Sequence, residues 1–179
     1  MRVIAGEFRS RPLQSLPGLD VRPTPDRLRE SLFSILSPRI VGTVFADAYA
    51  GTGSVGIEAL SRGAALAIFV EQNRAAVAVI RQNLKALGIE SRADVRQARA
   101  RAALSKIEAD IVFLDPPYAL ESEYDATLAA LGEKPPSLVI AQHDKRQKLA
   151  EEYGGLRSTR VLKQGDNCLT FYEPRVFSK

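Results

Sequence analysis

Cysteine and histidine are almost missing from this chain. One cysteine, Cys168, rules out an intramolecular disulfide. One histidine, His143, rules out a His-rich metal site, so no metal cofactor is expected. No apolar run approaches the roughly 20 residues that span a bilayer. Residues Met1 to Glu7 already carry charge and offer no signal-peptide apolar stretch. The expectation is a cytoplasmic protein with no membrane partner. Internal repeats and low-complexity tracts are absent too.

What is present is ordinary for a globular domain: 179 residues, 45% hydrophobic and 26% charged. That length fits one domain with a sizeable core. Lys and Arg number 25 against 21 Asp and Glu, for a net charge of +4 and a pI near 9.4. Such an excess suits a polyanionic partner without requiring one. The charge is uneven. Arg74, Arg81, Lys85, Arg92, Arg96, Arg99, Arg101 and Lys106 face only two acids in their segment, Glu90 and Asp94. The ordinary reading is a set of solvated helix faces.

Residues 1–23 read as a small extension. Arg2 to Arg11 has the look of a strand, and Pro12, Pro17-Gly18 and Pro23 punctuate the remainder. Thr24 is then a candidate helix cap, with Pro25 in the first helical position and Asp26 in the first turn. Leu28, Leu32, Ile35 and Leu36 share a face at helical spacing. From Val44 the chain alternates. Strands are predicted over Val44–Tyr49, Leu66–Glu71, Asp94–Ala98, Asp110–Leu114 and Leu138–Gln142. Helices are predicted over Ser54–Arg62, Asn73–Leu87, Ala100–Ile107, Ser122–Leu131 and His143–Tyr153. Asn73 stands where an N-cap belongs, and Gly63 and Gly88 where C-caps belong. Alternation of this kind favours a mainly parallel twisted sheet with helices on both faces. Two late runs, Arg157–Leu162 and Cys168–Glu173, flank Lys163 to Asn167 and predict a C-terminal antiparallel hairpin. His143 is expected at the surface or in a cap, and Cys168 as a small buried thiol.

Two constellations carry chemistry. The first is Gly51-Thr52-Gly53-Ser54-Val55-Gly56, a G-x-G-x-x-G between a strand and a helix. Glycines there let backbone turn tightly and approach a ligand. Glu71 ends the next strand, 20 residues after Gly51, where a carboxylate can accept from both hydroxyls of a ribose. NAD and S-adenosylmethionine both satisfy that pair. Asp47 tilts the choice. NAD would bring a pyrophosphate near this second carboxylate, whereas S-adenosylmethionine brings a sulfonium and an ammonium. Asp47 could instead cap a local turn.

The second is Asp115-Pro116-Pro117-Tyr118, directly after the apolar strand that ends at Leu114. In an open α/β sheet, ligands bind at the carboxyl ends of strands, so this turn would face the glycine loop. A base's exocyclic amine is a poor nucleophile because its lone pair is delocalised into the ring. Asp115 and the Pro116 carbonyl can grip its two hydrogens and favour a pyramidal nitrogen. Two prolines fix those acceptors in place. Tyr118 can stack on the base, worth roughly 1–3 kcal/mol, against the few kcal/mol needed to unstack it. The ordinary alternative is an Asp-Pro turn closing a strand.

With these residues assembled, the chain resembles the bacterial 16S rRNA guanine-N2 methyltransferases of the D type. The resemblance runs through Arg2-Val3-Ile4-Ala5-Gly6, Arg22 to Glu30, Asp47 to Gly56, Glu58 to Ala64, Glu71, Asp115 to Tyr118, and Gly165-Asp166 to Tyr172. It implies a Rossmann-like S-adenosylmethionine-dependent methyltransferase domain over residues 24–179. Residues 1–23 would be a short, hairpin-like, substrate-side extension. It implies S-adenosylmethionine as cofactor, S-adenosylhomocysteine as product, and 16S rRNA in an assembling or assembled small subunit as partner. Asp47, Tyr49, Gly51, Thr52, Gly53 and Glu71 would contact the cofactor, and Asp115 to Tyr118 the amine and base. Arg9, Arg11, Arg22, Thr24, Arg27 and Arg29 would lie near the nucleic acid or shape the cleft. One place departs from the family. Arg99 stands where a small Asp or Asn commonly meets the adenine amine. Either backbone and apolar contacts hold the adenine there, or the register differs.

Other functions share parts of this pattern. An NAD-dependent oxidoreductase explains the glycine loop and Glu71 but gives Asp115 to Tyr118 no role. A DNA adenine or protein glutamine methyltransferase uses the same turn, although 179 residues leave little room for a target-reading domain. A cytosine C5 enzyme needs a cysteine nucleophile. A non-catalytic RNA-binding module would show salt-sensitive binding and no methyl transfer.

Overall fold

The computed structural model describes residues 1–17, 24–117 and 120–177. Helix α1 (Asp26–Leu36) leads into β1 (Val44–Ala48), α2 (Ser54–Ser61), β2 (Leu66–Glu71), α3 (Arg74–Leu87) and β3 (Ala93–Gln97). Then come α4 (Ala100–Leu104), β4 (Ile111–Leu114), α5 (Glu121–Glu133) and β5 (Leu138–Asp144). The chain closes with β6 (Glu152–Tyr153), β7 (Leu156–Gln164) and β8 (Asn167–Pro174). Among the described residues these strands form one sheet in the order β3-β2-β1-β4-β5-β8-β7-β6. Strands β1 to β5 run parallel, while β8 returns antiparallel beside β5 and pairs with β7. This is a Rossmann-like architecture with an antiparallel end. No helix among the described residues is long and apolar enough to cross a membrane.

Alternation along the strands builds two apolar layers. Phe45, Phe69, Phe113 and Ile140 project to one face and pack on Leu32, Phe33, Ile57, Leu60 and Ile80 of α1, α2 and α3. Ala46, Val70, Val112 and Val139 project to the other and pack on Leu104, Leu128 and Tyr153. The chain turns to opposite sides of β1, so β1 and β4 part at the topological switch point. Ligands of such sheets bind there.

The local signals at α3 hold. Asn73 accepts from the amides of Ala75 and Ala76, and Gly88 closes the helix in the left-handed region at φ 69°. The hairpin turn is tighter than the sequence implied, with only Gly165 and Asp166 between β7 and β8.

Three expectations are corrected. The predicted helix over His143–Tyr153 does not form. His143 and Asp144 continue β5 because they pair with Cys168 and Asn167 of β8. His143 is therefore buried rather than superficial, its Nε2 2.8 Å from Thr170 Oγ1. Burial lowers its pKa. Nor is Arg2 to Arg11 a strand. It folds back on itself, with the Val3 amide donating to the Arg11 carbonyl, because Glu58 of α2 claims the Ile4 and Ala5 amides at 2.9 and 3.0 Å. Thr24 does not cap α1 either. Pro25 occupies the N-cap position, and the Thr24 hydroxyl lies 3.3 Å from Gln142 Oε1.

Candidate active site

The glycine loop is held in shape by groups outside it. Tyr49 leaves β1 with φ 64°, an uncommon conformation for a non-glycine residue. Gly51 and Gly53 follow at φ 57° and 83°, where a side chain would be strained. Gly53 opens α2. The Gly51 amide donates to Glu71 Oε2 at 2.8 Å, and the other Glu71 oxygen accepts from the Asn73 amide. Asp47 Oδ2 accepts from the Gly56 amide at 2.9 Å. From below, Asn83 Nδ2 donates to the Thr52 carbonyl at 3.2 Å. Gly56 serves packing: a Cβ there would sit 2.4 Å from the Phe69 ring.

Across the switch point, Ala48 is level with Leu114. Tyr49 and Asp115 therefore leave neighbouring strands side by side, about 4.8 Å apart in the pairing direction. Pro116 is buried and Pro117 is exposed. On the next strand, Ala141 is level with Leu114, which puts Gln142 beside Asp115. Tyr118 lies outside the described residues.

Three carboxylates converge here. Asp47 is 2% exposed, and burial drives its pKa well above the ordinary carboxylate range. The Gly56 amide opposes that shift, while the charges of Asp115 and Glu71 add to it. Among the described residues no cluster of His, Cys, Asp or Glu is placed to hold a metal ion. A cationic organic ligand seated on the glycine loop would relieve this repulsion, and an anionic one would worsen it. The residues thus fit S-adenosylmethionine better than a pyrophosphate.

The family model described as Conserved hypothetical protein 95 matches residues 1–173. The Ribosomal RNA small subunit methyltransferase D of Haemophilus influenzae (strain ATCC 51907 / DSM 11121 / KW20 / Rd) is 35% identical over 158 residues, 83% of this chain and 81% of that protein. The chain belongs to the small subunit methyltransferase D family. A Bacillus subtilis (strain 168) relative, YlbH, provisionally named an rRNA methyltransferase, is 36% identical over 184 residues, 98% of this chain and 100% of its own length. Among solved structures, Escherichia coli yhhF, provisionally described as a methyltransferase, superposes with a TM-score of 0.85 at 32% identity, covering 97% of both chains.

In this member of the family the remaining candidates separate. Tyr49 turns its hydroxyl away from the loop, donating to Glu123 Oε2 at 2.9 Å and lying 3.1 Å from Thr127 Oγ1. Burial pushes that hydroxyl up to about 12. Arg99 is exposed at the N-cap of α4, just beyond β3. Arg27 is exposed in the first turn of α1, three residues from Thr24, which reaches the end of β5 through Gln142. Arg22 lies outside the described residues.

Arg29 is a correction, for its side chain is wholly enclosed. It donates to the Arg2 carbonyl at 2.7 Å and to Asp26 Oδ1 at 3.0 Å, while Nε and Nη1 find no partner. Nucleic acid cannot reach it. Arg9 and Arg11 are exposed, but they belong to the turn at the C-terminal ends of α2 and α3. The Glu7 amide there meets the Ser61 carbonyl, and Arg11 Nη2 meets the Ala86 carbonyl. The end of α2 is about 12 Å from the glycine loop at 1.5 Å per residue.

Sequence reasoning missed Asn83, Gln142 and the Glu123–Thr127 pair. Asn83 was signalled, since it interrupts an apolar stripe of Val79, Ile80 and Leu84. So was Gln142, a polar residue at a parallel strand's carboxyl end like Asp47, Glu71 and Asp115. Glu123 and Thr127 had no such signal, because Tyr49 meets them only through the packing of α5.

Proposed function

We propose that this chain transfers a methyl group from S-adenosylmethionine to the exocyclic N2 amine of a guanine in 16S rRNA, within an assembling or assembled small ribosomal subunit in the cytoplasm. The observation that carries the reading is the seating of Asp115-Pro116-Pro117 beside the glycine loop at the switch point. The rRNA assignment follows the relatives' names.

Gly51, Thr52 and Gly53 present backbone to the cofactor, Glu71 its remaining lone pairs to ribose hydroxyls, and Asp47 a carboxylate to the cationic end. When bound, the cofactor supplies an electrophilic methyl on a sulfonium. The Asp115 carboxylate and the Pro116 carbonyl accept the amine's two N–H bonds and turn its lone pair toward the loop. As the nitrogen is alkylated it must shed a proton, and Asp115 takes it. Arg27 and Arg22 meet phosphates around the target, and Tyr118 stacks on the base.

The test is methylation of unmodified small-subunit particles with labelled cofactor, followed by mass mapping of the product nucleoside. Label in N2-methylguanosine supports the reading. Label in adenosine, in protein or nowhere refutes it.

A further inference from the structure

The bases concentrated between residues 74 and 106 lie on α3, β3, α4 and the loops between them. Helix α3 packs on β3, the edge strand of the sheet, and Arg99 stands just beyond that strand, while α4 lies on the opposite face against β2 and α5. Two of the eight bases serve the fold. Arg92 bonds Glu7 and the carbonyls of Leu60 and Ala64, and Arg96 pairs with Asp94. The other six, Arg74, Arg81, Lys85, Arg99, Arg101 and Lys106, are exposed. None of them joins an ion pair among the described residues. The segment carries six excess positive charges while the whole chain is only +4, so the rest of the chain is net negative.

Three of the six form a line. Residues 74, 81 and 85 are seven and four apart, close to whole turns, so they share the outer face of α3 about 10 Å and 6 Å apart along its axis. Helix α3 contains no acid. Arg74 stands in its first turn, where the helix dipole disfavours a cation and no acidic side chain offsets it. Folding alone would favour an acid there. The head of the line adjoins the site, because Arg74 follows Asn73, whose amide binds Glu71. Arg99 stands nearby, two residues beyond Gln97, the β3 partner of Glu71. Charge on an edge strand guards against edge-to-edge pairing, but a helix face has no edge to guard.

We infer that this side, headed by Arg74 and Arg99 and continued by Arg81 and Lys85, is a second RNA-contacting surface. It holds backbone phosphates of the substrate away from the modified base. The inference rests on the rRNA reading above. Cations in such an array neutralise phosphates irrespective of sequence.

The test uses the full chain and unmodified small ribosomal subunits, with binding measured across a salt series and methyl transfer measured separately. The triple variant R74Q/R81Q/K85Q should bind at least about tenfold more weakly. Its salt dependence should be shallower by about two to three, from 0.7–0.9 per phosphate contact. KM for RNA should rise with kcat and S-adenosylmethionine affinity unchanged, and thermal stability should not fall. The single variant K85Q should show about a third of the triple variant's loss of slope, and R74K/R81K should bind like wild type. The control R39Q/K134Q/R175Q, which removes equal charge at the amino ends of the strands, should also bind like wild type.

Unaltered binding and slope in the triple variant would overturn the inference, as would equal loss in the control. Methyl transfer by wild type with an unaltered triple variant keeps the function and rejects the surface. RNA binding through this surface without transfer does the reverse. Absence of RNA binding by wild type rejects both.

Discussion

Asp47 and Gly56 are joined across the base of the glycine loop, Oδ2 accepting the amide at 2.9 Å. The bond fixes the loop, yet burial still holds the Asp47 carboxyl well above its ordinary range. The folded state therefore binds that proton more tightly than the unfolded chain. Stability contributed by Asp47 falls as pH rises from roughly 4, the unfolded value, toward the raised folded one. Asp47→Asn keeps an oxygen for the Gly56 amide and removes the titration. Melts of the cofactor-free protein should show wild type losing stability relative to Asp47→Asn across that window; parallel curves would refute the assignment. Asp47→Asn should also bind S-adenosylmethionine about 10–100-fold more weakly by calorimetry, as expected for a lost charged hydrogen bond. Glu71→Ala should weaken it as well.

Asp115→Ala should lower methyl transfer by about 10²–10³-fold or more while cofactor affinity largely survives, since its acceptor acts on the amine. Labelled-methyl incorporation beside calorimetry checks this, and retained turnover would count against the mechanism. Tyr118→Ala should cost more activity than Tyr118→Phe; equal loss would assign the role to the hydroxyl.

Gly56→Ala forces a methyl onto the Phe69 ring. The expected cost is about 1–3 kcal/mol, the usual range for overpacking. Phe69→Leu should be less harmful in that background than alone, which a double-mutant cycle by denaturant unfolding measures. Additive effects would separate the two residues.

Two neighbouring arginines should behave oppositely. Arg27→Ala should raise KM for RNA several-fold with stability unchanged within about 0.5 kcal/mol, as for an exposed residue. Arg29→Ala should lower stability by on the order of 2–3 kcal/mol through lost packing of its stem. Arg29→Met should recover most of that, because the guanidinium already leaves two nitrogens unsatisfied. A rise in KM for RNA in a folded Arg29→Met would restore Arg29 to the nucleic-acid surface.

The parallel half of the fold was legible because its signals are local. Asn73, Gly88 and the glycine loop act within a few residues of themselves, and apolar strands alternate with amphipathic helices at fixed periods. His143 to Tyr153 misled because a strand partner 25 residues away, Cys168, recruits His143. Arg29 misled for a similar reason. Asp26, Arg27 and Glu30 around it are exposed and charged, and nothing local says that the Arg2 carbonyl takes its guanidinium while the charge of Glu58 acts on it from α2.

By itself the sequence determined where the candidate groups would sit: Asp47, the glycines, Glu71 and the Asp115 turn each lie at the carboxyl end of a readable strand. Tertiary structure alone decided which of the charged residues stay free to act. A side chain's exposure and its ion partners depend on elements far along the chain, so Arg29 was enclosed, Arg92 was tied to the N-terminal turn, and Arg74, Arg81 and Lys85 were left in line on one open face.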